Sequence, residues 1–100
     1  MQKKEEVKVE YYDNGNKKRE THYKDGKLDG VSTGWGEDGT KSMEQHYKDG
    51  KKEGVETIFG GGTKLRERNY KDGKDEGFST WFKEDGTKLR EIYDNDGEPV

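Results

Sequence analysis

Lysines and glutamates recur along this chain on a fixed beat. Lys17, Lys41, Lys64 and Lys88 occupy one equivalent position, and Glu20, Glu44, Glu67 and Glu91 another. Paired carboxylates are the material of acid–base and glycosidic chemistry, and a row of cations suits an anionic surface. His22 and His46 each lead into Tyr-Lys-Asp-Gly-Lys, which raises the question of a shared metal. Gly60-Gly61-Gly62-Thr63-Lys64 has the composition of a phosphate loop, and Asp94-Asn95-Asp96-Gly97 opens like a calcium-binding EF-hand loop. Ser32, Ser42 and Ser79 supply hydroxyls. Cysteine is absent, which removes a thiolate metal site, a disulfide framework and a cysteine nucleophile. Whether the remaining groups can act together depends on the elements that hold them.

Those elements follow from the spacing. Tyr-Lys-Asp-Gly-Lys stands at 23–27, 47–51 and 70–74. Its glycines, Gly26, Gly50 and Gly73, continue to Gly97; a second series, Gly15, Gly39, Gly62 and Gly86, lies between them. Both series advance by 24 or 23 residues, the signature of a tandem array. The copies are 7–30, 31–54, 55–77 and 78–100, and residues 1–6 are expected to act as a charged N-terminal cap. Aromatics fall near every half-period, at Tyr11, Tyr23, Trp35, Tyr47, Phe59, Tyr70, Phe82 and Tyr93.

Nearly every half-period ends in Asn-Gly or Asp-Gly, the pairs that tolerate positive φ in hairpin turns; Gly60-Gly61-Gly62 takes their place in the third copy, which is one residue short. Between turns, Val7-Val9-Tyr11, Val31-Thr33-Trp35, Val55-Thr57-Phe59 and Phe78-Thr80-Phe82 alternate with the strand period. No segment carries the helical spacing. The fold expected is all-β: an elongated, single-layer antiparallel meander of tandem hairpins, with about eight strands and a width of about 38 Å. Tyr-Lys-Asp-Gly-Lys is a hairpin corner, and its repetition implies hairpins that all turn alike.

This frame decides the chemistry. Equivalent residues in adjacent copies lie two strands apart, about 9.6 Å. That is too far for two histidines to share a zinc, whose ligands lie within about 2.1 Å of it. It is within reach for an inverting carboxylate pair, but a flat sheet has no water-excluding cleft in which to raise one pKa. The glycine run has the wrong order for a phosphate loop and no helix after it, the calcium-like segment reads as a hairpin turn, and the serines have no motif around them. No catalytic, cofactor or metal residue is assigned. The aromatics are expected to form a row of touching neighbours, and the Lys and Glu columns to make cross-strand ion pairs.

Composition agrees with a thin fold. Hydrophobic residues make up 23% of the chain and charged ones 43%, too polar for a thick two-layer core. Such polarity normally means disorder, but aromatics reach 11% and the charges are mixed, leaving a net of −3. That balance gives no basic footprint for nucleic acid. The N-terminus lacks an apolar leader core and no apolar run approaches membrane length, so the chain reads as soluble, cytoplasmic or exported after loss of an upstream leader.

The spacing Tyr-x-x-Gly-x-x-x-Gly, at Tyr23-Gly26-Gly30, Tyr47-Gly50-Gly54 and Tyr70-Gly73-Gly77, with an aromatic pair such as Trp81-Phe82 after it, resembles the MORN repeat, most closely its bacterial variant. The resemblance spans residues 7–97. It implies a single-layer sheet of consecutive hairpins and a role in interaction or scaffolding; some members are proposed to touch acidic lipids, and some bacterial relatives are labelled antitoxins. The chain departs from the pattern in having fewer glycines and in placing Tyr93 one position early. The function expected is a non-enzymatic protein-interaction module, monomeric or an edge-paired dimer. Its surface would comprise Tyr11, Tyr23, Trp35, Tyr47, Phe59, Tyr70 and Phe82 with Lys17, Lys41, Lys64 and Lys88. The alternatives are a binder of anionic lipids through the Lys column, an antitoxin-like partner protein, and a passive array, natural or designed.

Overall fold

The computed structural model describes residues 4–95 together with 98 and 99. They form β1 (Glu5–Tyr11), β2 (Lys17–Lys24), β3 (Lys27–Leu28), β4 (Gly30–Trp35), β5 (Lys41–Lys48), β6 (Lys51–Gly60), β7 (Thr63–Lys71), β8 (Lys74–Phe82), β9 (Lys88–Asn95) and β10 (Glu98–Pro99). All belong to one open antiparallel sheet in the order β1-β2-β4-β5-β6-β7-β8-β9-β10, with β3 paired to β2. Ten strands replace the expected eight for a local reason. The arm after the first tight turn is interrupted at Asp29 into β3 and β4, whereas its equivalents β6 and β8 run unbroken, and β10 is a two-residue return against β9. The turn read at Asp96-Gly97 lies outside the described residues, as do residues 1–3 of the segment read as a cap, whose last residues Glu5 and Glu6 belong to β1.

The three Tyr-Lys-Asp-Gly-Lys corners turn alike, as expected, but the turns at the opposite end of the strands differ from them. At the Tyr-Lys-Asp-Gly-Lys corners both central residues take positive φ, as in Asp49 (50°) with Gly50 (84°), the type I′ geometry that matches strand twist. At the opposite end only the glycine does so, as at Gly39 (87°), whose N–H donates to the Gly36 carbonyl while Asp38 accepts from the Thr40 N–H. The short third copy breaks this alternation. With one residue fewer between Phe59 and Lys64, Gly61 and Gly62 both adopt positive φ and close a two-residue turn between Gly60 and Thr63.

The second glycine of the Tyr-x-x-Gly-x-x-x-Gly spacing has its own task. Gly54 (φ 81°) and Gly77 (φ 79°) lie inside strands, where the register jumps: Tyr47 opposes Lys52, but Gln45 opposes Glu56. The extra residues form a bulge that bends the arm. The acids before Gly30 and Gly54 each clasp the next corner. Asp29 accepts from the Asp49 N–H (3.4 Å) and Glu53 from the Asp72 N–H (2.9 Å), while the Gly50 and Gly73 N–H groups donate to the carbonyls of Leu28 and Lys52. For the first corner Lys4 provides these contacts, its carbonyl accepting from the Asp25 N–H and its own N–H donating to the Asp25 carboxylate.

The described residues include no buried hydrophobic side chain; the buried ones are Ser32, Thr33, Gln45, Thr57 and Thr80. Stability therefore rests on the backbone ladder and on half-buried neighbours across strands, which contribute roughly 0.2–1 kcal/mol per pair. The extents of 44 × 36 × 17 Å fit one twisted layer.

Candidate interaction faces

Register places each candidate on one of two faces, because residues directly opposite each other across strands share a face. One face carries the sequence Glu20–Thr33–Glu44–Thr57–Glu67–Thr80–Glu91, each the partner of the next. The threonines keep successive carboxylates about 9.6 Å apart. Beside this row runs a second, pairing Tyr11 with Lys17, Trp35 with Lys41, Phe59 with Lys64 and Phe82 with Lys88.

Both columns expected from the sequence are thus on this face, but their bonds differ from the expectation. The ion pairs form within strands, not across them: Lys17–Glu20 (3.0 Å), Lys41–Glu44 (3.1 Å), Lys64–Glu67 (3.3 Å) and Lys88–Glu91 (2.8 Å). In a regular strand residues three apart face opposite ways. A bulge between them, at Ser42 in β5 and at Leu65 in β7, turns the lysine onto the glutamate's face. The Lys17 hydrogen bond lowers the Glu20 carboxyl from its ordinary range, and the same bond raises the Lys17 ammonium.

The row of touching aromatics does not form. Tyr11, Trp35, Phe59 and Phe82 share the Lys–Glu face at the bulged-turn end, whereas Tyr23, Tyr47 and Tyr70 fall on the opposite face near the tight corners. Lysines fill the gaps between rings on the first face: Lys17 lies 5.6 Å from the Trp35 ring, Lys41 6.0 Å from Phe59 and Lys64 5.9 Å from Phe82. Each column lysine in these three units therefore holds a carboxylate and covers a ring. Tyr93 opposes Phe78, the position held by Asn69 against Val55, which is the one-residue offset read from the sequence.

The opposite face carries a row that sequence reasoning missed: Glu10–Arg19–Gly34–Met43–Ile58–Arg66–Trp81–Arg90, again partner to partner. Arg66 and Arg90 flank Trp81 from its two neighbouring strands, their guanidinium carbons 5.1 and 6.0 Å from the ring. Arg68 lies on this face too, in the adjoining row between Glu56 and Ser79. Its hydrogen bond with Tyr70 is the main cause of a raised guanidinium pKa. Beside it Lys52 pairs with Glu56 (3.2 Å) and lies 4.7 Å from the Tyr70 ring. Burial pulls the Lys52 ammonium down, but Glu56 outweighs it and leaves the group raised.

The two faces treat their cations differently. Arg19, Arg66, Arg68 and Arg90 are the chain's only arginines. Among the described residues none of them has a carboxylate within 4.0 Å, even though Glu10 stands opposite Arg19. Gln45 Oε1, Arg68 Nε and Trp81 Nε1, all on this face, are buried without a hydrogen-bond partner. A signal for the row was available: Arg19, Met43, Arg66 and Arg90 each immediately precede a column glutamate, so period-two alternation places them on the other face.

The histidines stay apart in role. His22 Nε2 lies 3.4 Å from Glu20, and His46 is exposed beside Gly54. An open groove of about 640 Å³ runs along the tight corners, lined by His46, Tyr47, Lys48 and the bulge glycines Gly30 and Gly54 among others. Two of its acids, Asp29 and Glu53, already clasp corner N–H groups. Comparison of the chain with known protein families, curated proteins and solved structures finds no match.

Proposed function

We propose that the chain is a non-enzymatic protein-interaction module whose working surface is the arginine face. The observation that carries this reading is the transverse row of arginine, methionine, isoleucine and tryptophan on an open sheet, with its guanidinium groups lacking carboxylates. Arg, Trp, Tyr and Met are the residues enriched at interface centres. The MORN-like spacing points to the same class. The Lys column is a poorer basis for binding anionic lipid, because each of its lysines is matched by a glutamate on the same face.

The test is a pull-down from extract with three baits: wild type, a Lys17→Glu, Lys41→Glu, Lys64→Glu variant, and an Arg19→Glu, Arg66→Glu, Arg90→Glu variant, each checked for fold by circular dichroism. The reading predicts an identified protein that is kept by the first two and lost by the third. Loss from the lysine variant alone would move the site to the other face. No specific protein on any bait would favour a passive array.

A further inference from the structure

We infer that the arginine face takes an extended segment of a partner protein with carboxylates at both ends and an apolar centre. This rests on the interaction reading and specifies its partner. The row's cationic part begins with Arg19, which Glu10 faces from the edge strand, has Met43 and Ile58 at its middle, and ends with Arg66, Trp81 and Arg90. Met43 and Ile58 are half-buried and directly opposed, a small apolar floor between two cationic ends. From β2 to β9 the row crosses six strand steps, about 29 Å. An extended peptide rising about 3.3 Å per residue covers that distance in about nine residues.

The chemistry favours carboxylate over other anions. A guanidinium presents a planar fork that matches a carboxylate in two hydrogen bonds, and stacking on Trp81 leaves the fork edges of Arg66 and Arg90 free to do so. A phosphate polymer or a membrane would also meet guanidinium groups. A short segment with an apolar middle uses the whole row, whereas a uniform polyanion leaves Met43 and Ile58 uncovered.

The two tryptophans lie on opposite faces, which gives a direct readout. Trp35→Phe leaves Trp81 as the sole indole, and phenylalanine already holds the equivalent position at Phe59 and Phe82. This protein is titrated with the peptide DEDVLVEDE, with its uncharged counterpart SNSVLVNSN, and with phosphatidylserine–phosphatidylcholine vesicles. The expected result is a saturable change in Trp81 emission with the acidic peptide only. Adding Arg66→Gln and Arg90→Gln should weaken binding about tenfold per arginine lost, since each removes a charge-assisted hydrogen bond. Arg66→Lys and Arg90→Lys, which keep the charge without the fork, should fall between, and provide the test if the glutamine variants do not fold. Lys41→Gln and Lys64→Gln should leave affinity unchanged. The inference is overturned by no response up to about 1 mM peptide, the weak end of specific binding, by binding indifferent to the arginines, or by a Trp81 response to vesicles alone. A failed titration alongside an arginine-dependent pull-down removes the acidic segment and leaves the interaction module standing.

Discussion

Lys64 and Arg66 are two residues apart on β7 and serve opposite faces. Lys64 is turned by the Leu65 bulge onto Glu67 and over the Phe82 ring, while Arg66 stacks on Trp81 with no carboxylate in reach. The same contrast holds across the whole sheet. One face is internally matched, lysine to glutamate, unit after unit; the other pairs Lys52 with Glu56 but, among the described residues, leaves its guanidinium groups without an ion pair. With no buried hydrophobic side chain among the described residues, the sheet has little stability to spare, so an unmatched row is informative. Matched charges keep a surface soluble and inert, while unmatched planar cations over an aromatic ring are available to a partner.

The contrast can be broken or sharpened by substitution. The largest effect is expected from Trp81→Ala, which removes the slab shared by Arg66 and Arg90. For a half-buried indole in a single layer we expect a loss of about 2–3 kcal/mol in a urea melt, below the range for a fully buried site. A loss under about 1 kcal/mol would mean that the arginine face is not held by this ring. Next is Gln45→Leu on the same face. Gln45 is 1% exposed and its Oε1 has no partner, so leucine should stabilise by about 1 kcal/mol despite losing the Nε2 bond to the His46 carbonyl. Destabilisation would show that the bond matters more than the orphaned oxygen.

Smaller effects are expected on the matched face. Lys17→Gln, Lys41→Gln and Lys64→Gln should each lower the urea midpoint only slightly, and less in high salt, because exposed pairs contribute little. A larger, salt-resistant loss would show that covering the rings, not charge, is what these lysines do. The smallest effect concerns pH. Hydrogen bonds from Thr40 and Thr87 lower the Asp38 and Asp85 carboxyls below their ordinary range. The unfolded chain then binds protons more readily, so this contribution is complete above the ordinary carboxylate range and is lost as pH falls through the lowered values. Asp38→Asn with Asp85→Asn should flatten the acid limb of urea midpoints measured from neutral to acid pH, and an unchanged limb would assign it to other carboxylates.

Much of the fold was legible because the repeat is written in turn residues. Asp-Gly and Asn-Gly marked the hairpins, alternation marked the strands, and together they predicted the meander. The sequence did not separate the two turn classes, since Asp49-Gly50 and Asp38-Gly39 look alike; the length and neighbours of each loop decide whether the aspartate takes positive φ. The columns of lysine and glutamate were visible, but their bonding was not, because the bulges that bring Lys41 to Glu44 have no distinctive residue: Ser42 and Leu65 occupy the same place. The aromatics seemed one row because they share a beat of half a period; alternate turns lie at opposite ends of the strands, and the side-chain parity differs there. The arginine row was overlooked because half of it, Glu10, Gly34, Ile58 and Trp81, does not repeat in type.

The most direct test of unequal faces needs no ligand. Trp35→Phe and Trp81→Phe each leave a single indole, one on each face, and both can be quenched with iodide and with caesium at equal ionic strength. Trp81, between two guanidinium groups without carboxylates, should be quenched far more readily by the anion. Trp35, under a lysine already paired with Glu20, should show little preference between the two ions. The same iodide-to-caesium ratio for both indoles would contradict the claim that one face is matched and the other is not.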